Sequence, residues 1–99
     1  MARIELAPGV LDDFDRILDH LLAFDAEHIG QRIAEIVDAV QVLEHSPMIG
    51  RPVKGGQREL VVGRGSRGHV ALYRFVPAID TVFVLAVRSQ REGGYHHPG

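Results

Sequence analysis

The chain contains no cysteine, so it carries neither disulfides nor a thiolate metal site. It lacks a long apolar run as well. The longest, residues 82–87, falls far short of the roughly 20 residues that cross a bilayer. The opening MARIELAPG has no apolar signal core. These absences give the expectation of a soluble, cytoplasmic protein with no membrane partner. Serine is scarce: Ser46, Ser66 and Ser89 are the only ones, and none sits in G-x-S-x-G, which argues against acyl transfer. His20, His28 and His45 are scattered, His96 and His97 are adjacent, and no H-x-x-x-H spacing occurs. A metal site needs three or four ligands in fixed geometry, so no metal is expected.

What is present describes one small domain. The 99 residues are 45% apolar, enough for a modest core. The net charge of −2 hides a division. Residues 1–49 carry a net of −7, and residues 50–99 a net of +5 from Arg51, Lys54, Arg58, Arg64, Arg67, Arg74, Arg88 and Arg91 against three carboxylates. Seven of those eight cations are arginine, the side chain that binds phosphate and carboxylate in a bidentate fork. The asymmetry points to an anionic partner for the second half.

Arg3-Ile4-Glu5-Leu6 alternates as a short strand does. Pro8 suits the first position of a helix. Val10, Leu11, Phe14, Ile17, Leu18, Leu21 and Leu22 then recur with helical spacing, fading near Phe24, with Asp12, Asp13, Asp15, Arg16 and Asp19 assigned to the solvent side. The aspartates of the first turns would complement the helix dipole. Asp25 is a candidate N-cap for a second helix, whose stripe is Ile29, Ile33, Ile36, Val40 and Leu43, and Ser46-Pro47 ends it. Residues 48–57 are a connection rich in glycine and proline. RELVV, HVALYRFV and TVFVLAV read as three strands, the last apolar on both faces and therefore central, with a short hairpin turn over residues 77–80. The expected fold is α+β: β-α-α-β-β-β, a helical hairpin packed on a small, mainly antiparallel sheet. A single domain spans residues 1–99, with a flexible tail over 92–99.

GRGSRG, residues 63–68, matches the letters G-x-G-x-x-G. The dinucleotide pattern works only where a strand turns into a helix, whose N-terminus holds the pyrophosphate. Here the next element is another strand. The motif is a hairpin turn whose glycines permit positive φ, and no nucleotide or other cofactor is expected. Arg64 and Arg67 sit at its exposed tip. Phosphodiester chemistry remains. Metal-free RNA cleavage needs a base, cations around the phosphorane and an acid, and Arg58, Arg74, Arg88, Arg91, Tyr95 and a histidine could supply them. Arg74 is either structural, paired with a carboxylate such as Glu59, or functional. Arg88, just past the buried strand, is the stronger candidate. Tyr95 is a hydrophobic anchor or a reactive phenol.

HIGQRIAEIVDAVQVLEHSPMIGRPV, with Leu43, Pro47 and Gly50-Arg51-Pro52, resembles the second helix and following turn of RelE/ParE-type toxins of bacterial toxin–antitoxin pairs. RELVV, the glycine turn, VALYRFV and DTVFVLAVRSQREGGY resemble their closing strands and tail. The resemblance covers nearly the whole chain. It implies a growth inhibitor, of the kind linked to plasmid stabilisation, held inactive by a co-encoded antitoxin. RelE-like members cleave mRNA on the ribosome with basic strand residues and a late tyrosine or histidine; ParE-like members poison DNA gyrase. Tyr95 matches the late tyrosine. However, Val70 stands where a catalytic arginine is usual, and the lysine-rich strand reads RELVV. The resemblance is therefore nearer ParE. It implies target contacts through Arg88, Arg91, Tyr95, Arg64 and Arg67, and antitoxin contacts through Arg58, Arg74, Leu18 and Leu22. A ribosome-dependent endoribonuclease acting through Arg58, Arg74, Arg88, Arg91 and Tyr95 is the alternative. A degenerate toxin serving as an antitoxin-binding module is the third.

Overall fold

A computed structural model describes residues 1–95. Residues 96–99 of the expected tail, the His96-His97 pair among them, lie outside the described residues. Strand β1 (Arg3–Leu6) leads into helix α1 (Pro8–Phe24), a 3₁₀ turn (Ala26–His28) and helix α2 (Ile29–Val42). A two-residue strand β2 (Arg51–Pro52) precedes β3 (Arg58–Val62), β4 (His69–Val76) and β5 (Thr81–Ser89). The sheet order is β1-β5-β4-β3-β2. β2 through β5 pair antiparallel, while β1 joins the far side of β5 in parallel, Arg3 opposite Thr81. β5 is thus paired on both edges, the central position expected for it.

The two helices form from the expected stripes. Pro8 occupies the start of α1. Ile36 on α2 and Leu43 just past its end are fully buried, and Ile29, Ile33 and Val40 join them in the core with Tyr73, Val82, Val84 and Val87 of the sheet. Each such side chain contributes about 1.5–3 kcal/mol by leaving water. Strand registers put Leu60, Ala71 and Val87 in one row facing the helices, and Glu59, Leu72 and Ala86 in a row on the opposite face. The β4–β5 register slips between Leu72 and Tyr73, leaving Leu85 as an extra residue on β5. That bulge lets Val84 and Val87 both reach the core.

Several expectations are corrected. The first turn of α1 contains no acidic residue, so the aspartates lie beyond the range where the dipole acts strongly. Asp13 is not on the solvent side: it is 1% exposed, on the stripe with Val10, Ile17 and Leu21. Asp25 makes no side-chain cap; its carboxylate instead engages His28 and Arg32. α2 stops at Val42 and turns through Leu43 before Ser46 is reached. β5 runs to Ser89, so Arg88 lies within the strand, opposite Val70. The glycine turn behaves as expected at Gly63 (φ 75°) and Gly65 (φ 59°), and β4 follows it where a nucleotide fold would need a helix.

Candidate functional site at the tail-covered face

The Gly-Arg-Pro turn builds the site's floor. Tyr73 is fully buried, and its hydroxyl accepts a hydrogen bond from the Gly50 amide at 2.8 Å. A Cβ on Gly50 would stand 2.7 Å from the Tyr73 ring and from the Glu59 carbonyl oxygen, so only glycine allows the turn to lie this close. Arg51 then pairs with Glu59 across β2–β3 and donates two bonds to Oε1, at 2.6 and 3.1 Å. Arg58 donates to the carbonyls of Gly50 and Met48, which fixes the far side of the turn.

Glu59 is nearly buried on the sheet face away from the helices. Its second oxygen accepts from the Tyr95 hydroxyl at 2.6 Å. Arg88 comes from β5 on the same face and lies 5.1 Å from the Tyr95 ring centroid, in cation–π range. Its Nη1 donates to the carbonyls of Ser89 and Glu92, and its Nε is buried without a partner among the described residues. Burial would raise the Glu59 carboxyl, but the Tyr95 and Arg51 hydrogen bonds and the charges of Arg51 and Arg88 outweigh it and hold the group below its usual range. Tyr95 moves the other way. Burial first, then the bond to Glu59 and its charge, push the phenol far above its ordinary range, against the pull of Arg88.

The tail reaches this position through a second anchor. Arg16 on α1 donates to Glu92 at 2.8 and 3.1 Å and to Asp13 at 2.8 Å. Glu92 raises the Arg16 guanidinium further, against burial. Glu92 also accepts from the Ser89 amide, and Asp13 accepts from the Val87 amide at 2.9 Å. Residues 92 and 95, placed by the sequence in a flexible tail, are thus tied to α1 and to β3.

The expected site residues do not converge. Arg88 and Tyr95 meet, with Glu59 between them. Arg58 shares the row of Tyr73 on the helix-facing side and is engaged with carbonyls. Arg74 is exposed and donates to the Gly55 carbonyl, not to Glu59, which Arg51 and Tyr95 occupy. Arg91 lines a cavity together with His20 and His69. Arg64 and Arg67 are exposed on the β3–β4 loop. Leu18 and Leu22 are exposed on α1, beside exposed Leu11 and Phe24. Sequence reasoning missed Glu59 as the hub, Asp13 and Glu92 as tail anchors, and His69 as a buried imidazole. The signal for Asp13 was its place on the apolar stripe.

Comparison with known proteins bears on this arrangement. A solved chain described as "Chromosomal ParDE TA system from P. aeruginosa" has the same fold, with a TM-score of 0.74 and 22% identity over 90% of this chain and 96% of that one. No curated protein matches the sequence. The family model for the ParE toxin of type II toxin–antitoxin systems matches residues 4–93. The chain therefore belongs to the ParE toxin family of type II toxin–antitoxin systems.

Proposed function

We propose that the protein is a growth-inhibiting toxin that poisons DNA gyrase in the cytoplasm without enzymatic activity and is neutralised by a cognate antitoxin. The observation that carries the choice of mechanism is the state of Tyr95. A phenol that serves as a general base must lose its proton near neutral pH. This one donates to Glu59, and its environment opposes ionisation strongly. Arg58 and Arg74 are also engaged by the Gly50 and Gly55 carbonyls, which ties them to the turns and not to a shared phosphorane. Exposed Leu18 and Leu22 offer an apolar stripe for an antitoxin segment that folds on binding, with exposed Arg74 suited to an acidic part of it.

Gyrase supercoiling and ribosomal mRNA integrity are to be assayed in parallel, with purified protein and after induction without antitoxin. Inhibited supercoiling and DNA damage with intact mRNA are expected. Cleavage of mRNA in the ribosomal A site with gyrase unaffected would replace this reading by the endoribonuclease one, for which the Arg88–Tyr95 contact would then be the starting point.

A further inference from the structure

The helices cover only one of the two sheet faces. Alternation along β4 and β5 puts Val70, Leu72, Ala86 and Arg88 on the other face, which should meet solvent. Yet Val70, Leu72 and Ala86 are 2%, 5% and 0% exposed, and none of them belongs to the core cluster beneath the helices. Their cover is the segment after β5. The Tyr95 hydroxyl reaches Glu59 on β3, while its ring lies 5.1 Å from the Arg88 guanidinium on β5. β4 stands between those two strands, so the side chain bridges over it.

This cover is fastened at two points. Arg16 and the Ser89 amide hold the Glu92 carboxylate, and Arg88 donates to the Glu92 carbonyl. Glu59 holds Tyr95. Between the two points stand Gly93 and Gly94, where an added Cβ would meet no atom within 4 Å. The link packs on nothing, and two glycines can change backbone conformation at low steric cost. The closed arrangement also leaves the Arg88 Nε buried without a partner among the described residues. Such atoms are rare in folded proteins. Turning Tyr95 outward gives this donor access to water or to an acceptor on a ligand.

We propose that residues 92–95 form an autoinhibitory strap. Hinged at Gly93-Gly94 and latched by Tyr95 on Glu59, it keeps the Val70, Leu72 and Ala86 strip and the Arg88 guanidinium away from the toxin's target until it opens. The inference rests on the reading of the protein as a growth-inhibiting toxin with Arg88 as a target contact, and it does not require that the target be gyrase. Only the open fraction of molecules is competent, so the apparent affinity for the target falls below the intrinsic one by that fraction. A weaker latch raises the fraction and with it the potency.

The lack of native cysteine allows a direct test on the full chain. Ala86→Cys places one thiol under the strap, and Ala71→Cys places one at an equally buried point on the helix-facing side. Reaction with an aromatic disulfide reagent is followed at rising urea, below the unfolding transition. The Ala71→Cys thiol should react only through global unfolding, at a rate that climbs steeply with urea. The Ala86→Cys thiol should react faster and almost independently of urea, since a local opening exposes little surface. Val70→Cys replaces it should Ala86→Cys not fold. Adding Tyr95→Phe should raise the urea-independent rate about tenfold, the loss of one charge-assisted hydrogen bond. Tyr95→Phe alone, without a new thiol, should arrest growth at a lower level of induction than wild type. Growth arrest is read whatever the target is, so gyrase left unaffected would replace the gyrase reading and leave this comparison intact. A wild type without effect on growth would overturn the toxin reading and the strap with it. Equal urea slopes for the two thiols, a labelling rate unmoved by Tyr95→Phe, or growth arrest by Tyr95→Phe at no lower induction than wild type would overturn the strap alone.

Discussion

Replacing Asp13 by alanine removes an acceptor on which two elements depend. Its Oδ2 takes the Val87 amide at 2.9 Å, and its Oδ1 takes Arg16 at 2.8 Å. The carboxylate is almost wholly buried, so water cannot simply replace it. An orphaned buried amide costs about 1–3 kcal/mol. Severing a buried ion pair costs about 3–5 kcal/mol when the surviving charge is left bare. Arg16 is not left bare, because Glu92 still receives two of its hydrogen bonds. The expected loss is therefore about 3 kcal/mol. For a domain this size, that lowers the melting temperature by about 12–24 °C. Urea unfolding followed by circular dichroism at pH 7 measures it. Asp13→Asn can keep one acceptor oxygen for the Val87 amide but loses the charge and the acceptor that faces Arg16, so it should cost less than Asp13→Ala. A loss below about 1 kcal/mol in Asp13→Ala, or equal losses in the two variants, would refute the reasoning. Because Arg16 bridges Asp13 to Glu92, a double-mutant cycle of Asp13→Ala with Glu92→Ala should show a coupling of at least about 0.5 kcal/mol.

Three further outcomes are expected. Gly50→Ala forces a methyl group against the immobile Tyr73 ring and should cost about 2–3 kcal/mol in a denaturant titration; a change under about 0.5 kcal/mol would mean the turn is free to shift. Tyr95→Phe removes the bond to Glu59 but keeps the ring under Arg88, so it should lose about 1–2 kcal/mol while retaining growth arrest; abolished toxicity with an unaltered fold would make the phenol reactive. The depressed pKa of His69 makes its contribution complete above the unfolded value of 6.5 and progressively lost as pH falls below it. Unfolding midpoints between pH 8 and pH 5 should therefore decline in wild type more than in His69→Gln, and identical slopes would exclude this histidine as the cause.

The helical hairpin and the three long strands were legible because each carries its periodicity within a few residues. The stripe of Ile29, Ile33, Ile36, Val40 and Leu43 needs no knowledge of what it packs on. β2 was not legible. Two residues have no period, and the strand exists only because Arg51 and Pro52 find Glu59 and Arg58 opposite. The extra Leu85 was hidden for the same reason, since a bulge is a relation between two strands and leaves TVFVLAV unchanged. The site was legible in its parts but not in its assembly. Arg88 and Tyr95 stood out by type and place, whereas the Tyr95–Glu59 bond joins residues 36 apart. An aspartate on an apolar stripe was read by its chemistry as exposed, although its spacing from Val10, Ile17 and Leu21 already placed it inside.

The arginine excess of the second half takes a different meaning once partners are assigned. Taken alone, +5 over 50 residues suggests a broad anion-binding surface. Yet Arg51 is engaged by Glu59, Arg58 by two carbonyls, Arg74 by one, and Arg88 by two carbonyls and an aromatic ring. Those four serve mainly to hold a turn and a tail that have little apolar surface of their own. A guanidinium suits that task, because its five donors can satisfy several carbonyls that no strand reaches. Arg64 and Arg67 lie on the exposed β3–β4 loop at one end of the sheet, where Arg91 also sits just beyond β5. Electrostatic attraction follows local density and not total charge, since fields are screened over about 10 Å at ordinary ionic strength. The end of the sheet, and not the whole second half, is therefore where an anionic partner should first be drawn in.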